Sequence, residues 1–309
     1  MNAVKPANYT KAKAQQLYKT LYSAAKENPK RRFHALYDKV HRPDILWEAW
    51  RRVKANGGSG GVDGVTIDHI VKEYGEGRFI FEIGCDLVNG EYHPMPARRK
   101  EIPKGEGKFR PLGIPAIRDR VVQMATKMVI EPIFEADFQD FSYGFRPGRS
   151  QHQALRHIRR AVKKGIYWVV DIDIQGYFDN ICHDKLMKLI EQRISDRRIL
   201  KLIRKWLKAG FVKDDQFYET ELGSPQGGVI SPLLSNIYLN YLDSIWQKKF
   251  AEVGTLVRYA DDLVILCKTK EQALKAIDVL KAVFGKLELQ MNASKSKRIN
   301  PAYLDIPSF

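Results

Sequence analysis

Two groups of carboxylates occupy positions where a carboxylate is costly. Tyr259-Ala260-Asp261-Asp262 interrupts the apolar run LVRYADDLVILC at residues 256–267. Neighbouring side chains on a strand point to opposite faces, so two adjacent acids are expensive inside a buried hairpin unless they stand at its tip and are neutralised. A divalent cation is one way to neutralise them; an ordinary exposed turn, where Asp is common, is the other. Asp171-Ile172-Asp173 ends a second apolar run, IYWVVDIDI at 166–174. At period two, Asp171 and Asp173 share a face. A solvated strand end or a helix cap would also explain that pair alone. The combination favours chemistry, because two such elements side by side in one sheet would gather carboxylates at one point. Hard oxygen ligands suit Mg²⁺, which keeps several waters and binds through a few carboxylates plus substrate phosphates. Two ions roughly 3.5–4 Å apart can clamp the attacking and leaving oxygens of an in-line phosphoryl displacement. The sequence offers no His cluster and no Ser-His-Asp pattern as a rival.

The elements that would position these acids are legible from periodicity and turn chemistry. Helices are expected over 9–26, over 43–55 (Pro43 in its first turn, Asn56-Gly57-Gly58 ending it), and from Thr66 toward Tyr74. Further helices are expected over 117–138, 151–164, 184–194, 196–209, 231–250 and 271–287. Residues 98–103 and 109–114 read as a basic hairpin across the turn Lys104-Gly105-Glu106-Gly107-Lys108. Residues 211–222 read as a second hairpin with Asp214-Asp215 in its turn. The strand at 166–174 and the acid-tipped hairpin at 256–267 complete the set. Strands alternating with helices, with tight hairpins among them, give an α+β class: a sheet covered by helices on one face.

Composition narrows the partner. Of 309 residues, 52 are Lys or Arg and 36 Asp or Glu, a net charge of +16. An excess of that size favours a polyanion, because cations placed near phosphates release condensed counterions. Cys85, Cys182 and Cys267 are odd in number and form no CxxC pair. That argues against a disulfide framework or a structural zinc and fits a reducing compartment. Residues 1–14 lack the apolar core of a signal peptide, and no window approaches the ~20 apolar residues of a membrane span. A soluble protein with no membrane partner is expected.

Seven ordered blocks carry a family likeness: ALYDKVHRPDILWEAWRRVKANGGSGGVDGVTI, IPKGEGKFRPLGIPAIRDRVVQ, SYGFRPGRS, VVDIDIQGYFDNICHDKL, GSPQGGVISPLLSNIYLN, VRYADDLVIL and LELQMNASKSK. They run from about Ala35 to Lys297. On these blocks the chain resembles the reverse transcriptases of bacterial group II introns, which are also splicing maturases. The resemblance implies a right-hand polymerase of fingers and palm, with an antiparallel palm sheet packed by helices. Fingers are expected over 1–116 and 183–224 and palm over 117–182 and 225–309. The chain stops soon after its last matching block, so the thumb (domain X in maturases) is expected to be absent.

The resemblance also implies roles. Asp173, Asp261 and Asp262 would hold two Mg²⁺ ions, with Mn²⁺ as an alternative, helped by the backbone carbonyl of Ile174. Asp171 is not expected to be a ligand. Lys104 and Arg110, on the arms of the basic hairpin, would hold the incoming triphosphate; a guanidinium suits phosphate through bidentate contacts. Gln226 would contact nucleotide and sugar, with Gly227 and Gly228 permitting close approach. Phe178 would exclude a 2′-OH, or be a core aromatic, or both. Lys295 would protonate the leaving pyrophosphate, with Lys297 as its near rival. Arg146 would structure the palm or touch template. Arg31, Arg32, Arg42, Arg51 and Arg52, near Trp47 and Trp50, match an N-terminal extension that binds template or intron RNA. Both Trp are expected in the core and the Arg at the surface.

The activity implied is RNA-directed DNA synthesis in a bacterial cytoplasm. Its partners would be an intron RNA template, a DNA or RNA primer and dNTPs, and a homodimer is open to it. One rival is a chain serving chiefly as a non-enzymatic, intron-RNA-binding maturase core. Another is an RNA-dependent RNA polymerase, against which Phe178 speaks.

Overall fold

The structure is a computed structural model that describes residues 7–105, 108–166, 168–224, 227–292 and 297–299. The chain divides into two compact units, residues 1–137 with 187–231 and residues 138–186 with 232–309. Neither unit contains a helix long and apolar enough to cross a membrane, among the described residues.

The first unit has a helical core. Its centre is the Ile117–Glu135 helix, buried on nearly every side, against which the Ala7–Glu27 and Pro43–Asn56 helices pack. A helix enclosed all round must satisfy its polar residues internally. Asp119 accepts from the Tyr92 hydroxyl at 2.6 Å and from the Met95 amide at 3.0 Å, and the Trp206 indole donates to Tyr92 at 3.0 Å. Arg120 donates to the Pro115 carbonyl at 2.9 Å and to the Ser59 carbonyl, tying the 57–61 glycine loop to the helix. Gly61 must be glycine for the same junction, since a Cβ there would lie 2.6 Å from Ala116 Cα. The helix packs as part of this first unit, whereas the family resemblance groups residues 117–182 with 225–309.

The unit's sheet has the order β2-β1-β4-β5, with β1 Ala97–Gly105, β2 Lys108–Ile114, β4 Phe211–Lys213 and β5 Gln216–Tyr218. Both hairpins foreseen in the sequence are present. Asp214 and Asp215 stand at φ 50° and 60°, the left-handed pair that a two-residue primed turn needs. The parallel pairing of β1 with β4, Ala97 opposite Phe211, joins the hairpins into one sheet and was not anticipated. Nor was the Glu76–Asn89 helix, which begins immediately after Gly75.

The second unit is a sheet of order β6-β7-β3-β8, all antiparallel: β3 Trp168–Ile172, β6 Thr255–Tyr259, β7 Asp262–Cys267 and β8 Lys297–Ile299. The Gln151–Val162 helix packs on β6 and β7. It does so through a cluster of Ala154, Ala161, Val169, Val257 and Leu266. The Lys270–Leu287 helix packs on β3 and β7. Capping boxes at Ser150 and Thr269 start these two helices. The expected 231–250 helix runs as Ser231–Ile245 in α form, and its last stretch, Trp246–Phe250, widens to a π-turn.

Candidate active site

The second unit's sheet delivers carboxylates to one of its ends. In β3 and β7 the pairs run from Trp168 opposite Cys267 to Ile172 opposite Leu263. One step further in the same register come Asp173 and Asp262. In β6 and β7 the last pair is Tyr259 with Asp262, so Ala260 and Asp261 form a two-residue turn. Asp261 stands at the hairpin tip, with Asp262 and Asp173 beside it on adjoining strands. The alternation that puts Asp171 on the face of Asp173 leaves it two residues back, opposite Val264 and exposed.

This turn is strained and anchored. Ala260 sits at φ 57°, unusual for a residue with a Cβ. The Ala260 carbonyl accepts from Arg258 Nη1 at 2.8 Å. Arg258 is wholly buried and also donates to Asn236 Oδ1 at 2.9 Å and to both Asp243 carboxylate oxygens at 3.0 Å. Asp243 is likewise fully buried. Asn236 donates in turn to the Gly144 carbonyl at 2.8 Å. Gly144 lies flat against the turn, where a Cβ would meet the Ala260 nitrogen at 2.2 Å. Arg258, Asp243, Asn236 and Gly144 form a polar clamp that the sequence reading did not identify. The signal was present: Arg258 is a lone cation inside LVRYADDLVIL, and Asp243 is the one charged residue in the Ser231–Ile245 segment.

Asp173 is held by the segment after the Lys270–Leu287 helix. Asn292 donates its side-chain amide to Asp173 Oδ2 at 2.9 Å, and its backbone amide to the Asp173 carbonyl at 2.8 Å. The buried Ile174 bridges Met291. Asn292 was also missed as a positioning residue, although it opens the NASK block. Tyr177 donates to the Ser235 carbonyl at 2.7 Å. Burial, with the Asp261 charge a smaller contributor, pushes its hydroxyl far above the usual range, so it stays protonated. Phe178 is buried and packs edge-on to Tyr177 with centroids 5.3 Å apart.

Among the described residues no three His, Cys, Asp or Glu side chains come together as a group that could hold a metal ion. The donor set is open and all-oxygen. That fits a hard cation bound by one or two carboxylates, with substrate phosphates and water filling its shell, better than a dedicated protein cage.

The remaining predicted residues are placed as follows. Arg110 is exposed on β2 opposite Ile102, and Lys104 lies on β1 with its side chain outside the described residues, as are Gln226 and Lys295. All except Lys295 belong to the first unit. Gly227, at φ 112°, lies against β2, where a Cβ would be 2.4 Å from the Gly113 carbonyl oxygen. Arg146 is buried over the Phe138 ring and donates to the carbonyls of Gln139 and Ser142 at 2.5 and 2.6 Å. Arg31 is exposed over the Phe33 ring, and Arg32 donates to the Glu191 carbonyl at 2.9 Å. Arg42 forms a two-point pair with Asp44, while Arg51 and Arg52 converge on the buried Glu48. Burial alone would raise the Glu48 pKa, but the two guanidiniums outweigh it and hold the carboxyl below its usual range. Trp50 is core, as expected, and Trp47 is half-buried.

Comparison with known proteins gives the family. Residues 102–304 match the family model described as reverse transcriptase (RNA-dependent DNA polymerase). Protein YkfC of Escherichia coli K12 is 37% identical, over 91% of this chain and 84% of that protein. The group II intron-encoded protein LtrA of Lactococcus lactis is 42% identical over 71% of this chain, but only 36% of LtrA is covered. Among solved structures, a telomerase from Candida albicans superposes with a TM-score of 0.52 at 14% identity, covering 77% of this chain and 47% of the other, a likeness of fold alone. Matched blocks, strand order and relatives agree: the chain belongs to the reverse transcriptase family and, within it, to the group II intron-encoded reverse transcriptases and maturases.

Proposed function

We propose that the chain is an RNA-directed DNA polymerase of a group II intron that also binds intron RNA as a maturase. In this reading the second unit is the palm and the first the fingers. The observation that carries it is the strand register, with Asp173, Asp261 and Asp262 at one end of an antiparallel sheet and the hairpin turn clamped by buried Arg258. The intron-RNA role rests on the relatives, LtrA above all.

The residues divide the work. Asp173, Asp261 and Asp262, with the Ile174 carbonyl, present oxygens to divalent cations. Bound there, two such ions supply the positive charge that favours an ionised primer 3′-OH and the departing pyrophosphate. The Arg258–Asp243–Asn236 clamp keeps the hairpin tip from relaxing when those cations bind or leave. Asn292 fixes one Asp173 oxygen and so sets the direction of the other. Lys104, Arg110 and Gln226 take the triphosphate and sugar roles that the family pattern gives them, and Lys295 the proton donor's. Phe178 packs behind the nucleotide sugar and disfavours a 2′-OH. Arg146 shapes the loop over 139–146 rather than touching template, since its guanidinium is spent on backbone carbonyls.

The test is templated single-nucleotide addition. A DNA primer on an RNA template, with Mg²⁺ and each dNTP offered separately, should be extended only by the complement of the next template base. Ribonucleotides should be used poorly by the native chain and better by Phe178→Ala. Addition regardless of template, or none with any nucleotide, would overturn the reading.

A further inference from the structure

From Phe141 to Val170 every charged side chain is Arg or Lys. Most of these cations lie on or just after the Gln151–Val162 helix, whose apolar side is buried on the sheet of the second unit. Arg156, Arg160, Lys163 and Lys164 are all exposed, and among the described residues none has a carboxylate partner. Arg149, by contrast, is neutralised by Asp140 at 2.7 Å. The helix dipole accounts for some cations in the last turn. It does not account for Arg156 a turn earlier, nor for the lack of any interspersed acid, which a solvated helix face ordinarily carries.

The location is informative. The helix packs on Val169, Val257 and Leu266, and Val169 pairs with Leu266. Counting by twos along β3 from Val169 leads to Asp171 and then Asp173, and along β7 from Leu266 to Val264 and then Asp262. The helix therefore covers the same sheet face that carries Asp173 and Asp262, four residues further along, or about 13 Å at strand rise. Twelve residues make a rod roughly 18 Å long, enough to run beside several consecutive phosphates.

We propose that Arg156, Arg160, Lys163 and Lys164 form a phosphate rail for the primer–template duplex whose primer end lies at the carboxylates. This rests on the polymerase reading and adds to it a surface that the acids alone do not supply. The rail binds through charge to backbone phosphates, so it is indifferent to base sequence and sensitive to salt. None of the four touches reacting atoms.

The experiment measures affinity for a fluorescent RNA-template–DNA-primer duplex across a salt series. It compares the native chain with the combined variant Arg156→Gln, Arg160→Gln, Lys163→Gln and Lys164→Gln, and with Arg156→Lys plus Arg160→Lys. These positions are exposed, and circular dichroism checks that each variant folds. The glutamine variant should bind at least ~10-fold more weakly, with a log–log salt slope shallower by about 0.7–0.9 for each phosphate no longer neutralised. The lysine variant should bind like the native chain. Single-turnover addition at saturating duplex should keep its native rate in both. Unchanged affinity and slope in the glutamine variant would overturn the rail. So would loss of binding to phosphatidylserine vesicles alone, with duplex binding intact, which would assign the patch to a membrane surface. A native chain that binds duplex with the expected slope yet adds no nucleotide would sink the polymerase reading and leave the rail standing.

Discussion

At the scale of single residues, the acids were legible because each breaks a local rule. Asp173 ends an apolar strand, and Asp261 and Asp262 interrupt an apolar hairpin, so their types and positions call for compensation without any structure in hand. The residues that supply support were harder to see. Arg258 looks like one more basic residue until β6 is folded and its side chain turns inward onto Asp243. Breaking a buried pair by removing one partner leaves an uncompensated charge and costs about 3–5 kcal/mol. Arg258→Met is therefore expected to lower the denaturation midpoint sharply, read by thermal melting. A variant as stable as the native chain would mean that the pair is not what holds the turn. Gly144→Ala makes the complementary test, since its methyl would press on the Ala260 nitrogen from 2.2 Å. It should depress nucleotide addition by ~10-fold or more even where most of the protein remains folded, because a small displacement of a positioned group is costly in rate. Native activity in a folded Gly144→Ala protein would contradict the clamp.

At the scale of elements, long periodic helices and all three hairpins emerged from pattern alone, because period 3.6, glycine stops and Asp-Asp turn chemistry are local signals. The Glu76–Asn89 helix did not, since Gly77 and Gly84 weaken its propensity and its formation depends on burying Phe79, Ile80, Ile83 and Leu87. The parallel β1–β4 pairing and the short β8 were hidden for a related reason: they are decided by tertiary packing and carry no periodic signal of their own. The Ile117–Glu135 helix shows what burial does to an element. Burial pushes the Asp119 carboxyl up to about 6, against the opposing pull of hydrogen bonds from Tyr92 and Met95. A folded value above the unfolded one (about 3.9) means that the folded state holds this proton more tightly. Its contribution is then complete below about pH 4 and is lost as pH rises through about 6. Native stability relative to Asp119→Asn should fall across that window by on the order of 2–3 kcal/mol. Denaturant melts of both proteins from pH 4 to pH 7 check this, and a pH-independent difference would show that Asp119 ionises normally.

At the scale of the whole molecule, composition announced a polyanionic partner but not where it would dock. The +16 excess is unevenly distributed. Several N-terminal arginines are consumed locally, Arg42 by Asp44 and Arg51 and Arg52 by Glu48, while Arg156, Arg160, Lys163 and Lys164, on or just after the Gln151–Val162 helix, have no carboxylate partner among the described residues. Sequence reading weights every Arg equally; the fold separates the paired from the available. The same separation applies to catalysis, where the account depends on three carboxylates acting together at one sheet end. The most direct measurement is primer extension on an RNA template with Mg²⁺, comparing the native chain with Asp261→Asn, alongside Mn²⁺ binding followed by electron paramagnetic resonance in both. Extension should fall at least ~100-fold in the variant, with weaker Mn²⁺ binding and an unchanged fold. An Asp261→Asn protein that extends primers and binds Mn²⁺ as the native chain does would contradict the assignment of the hairpin tip as the metal site.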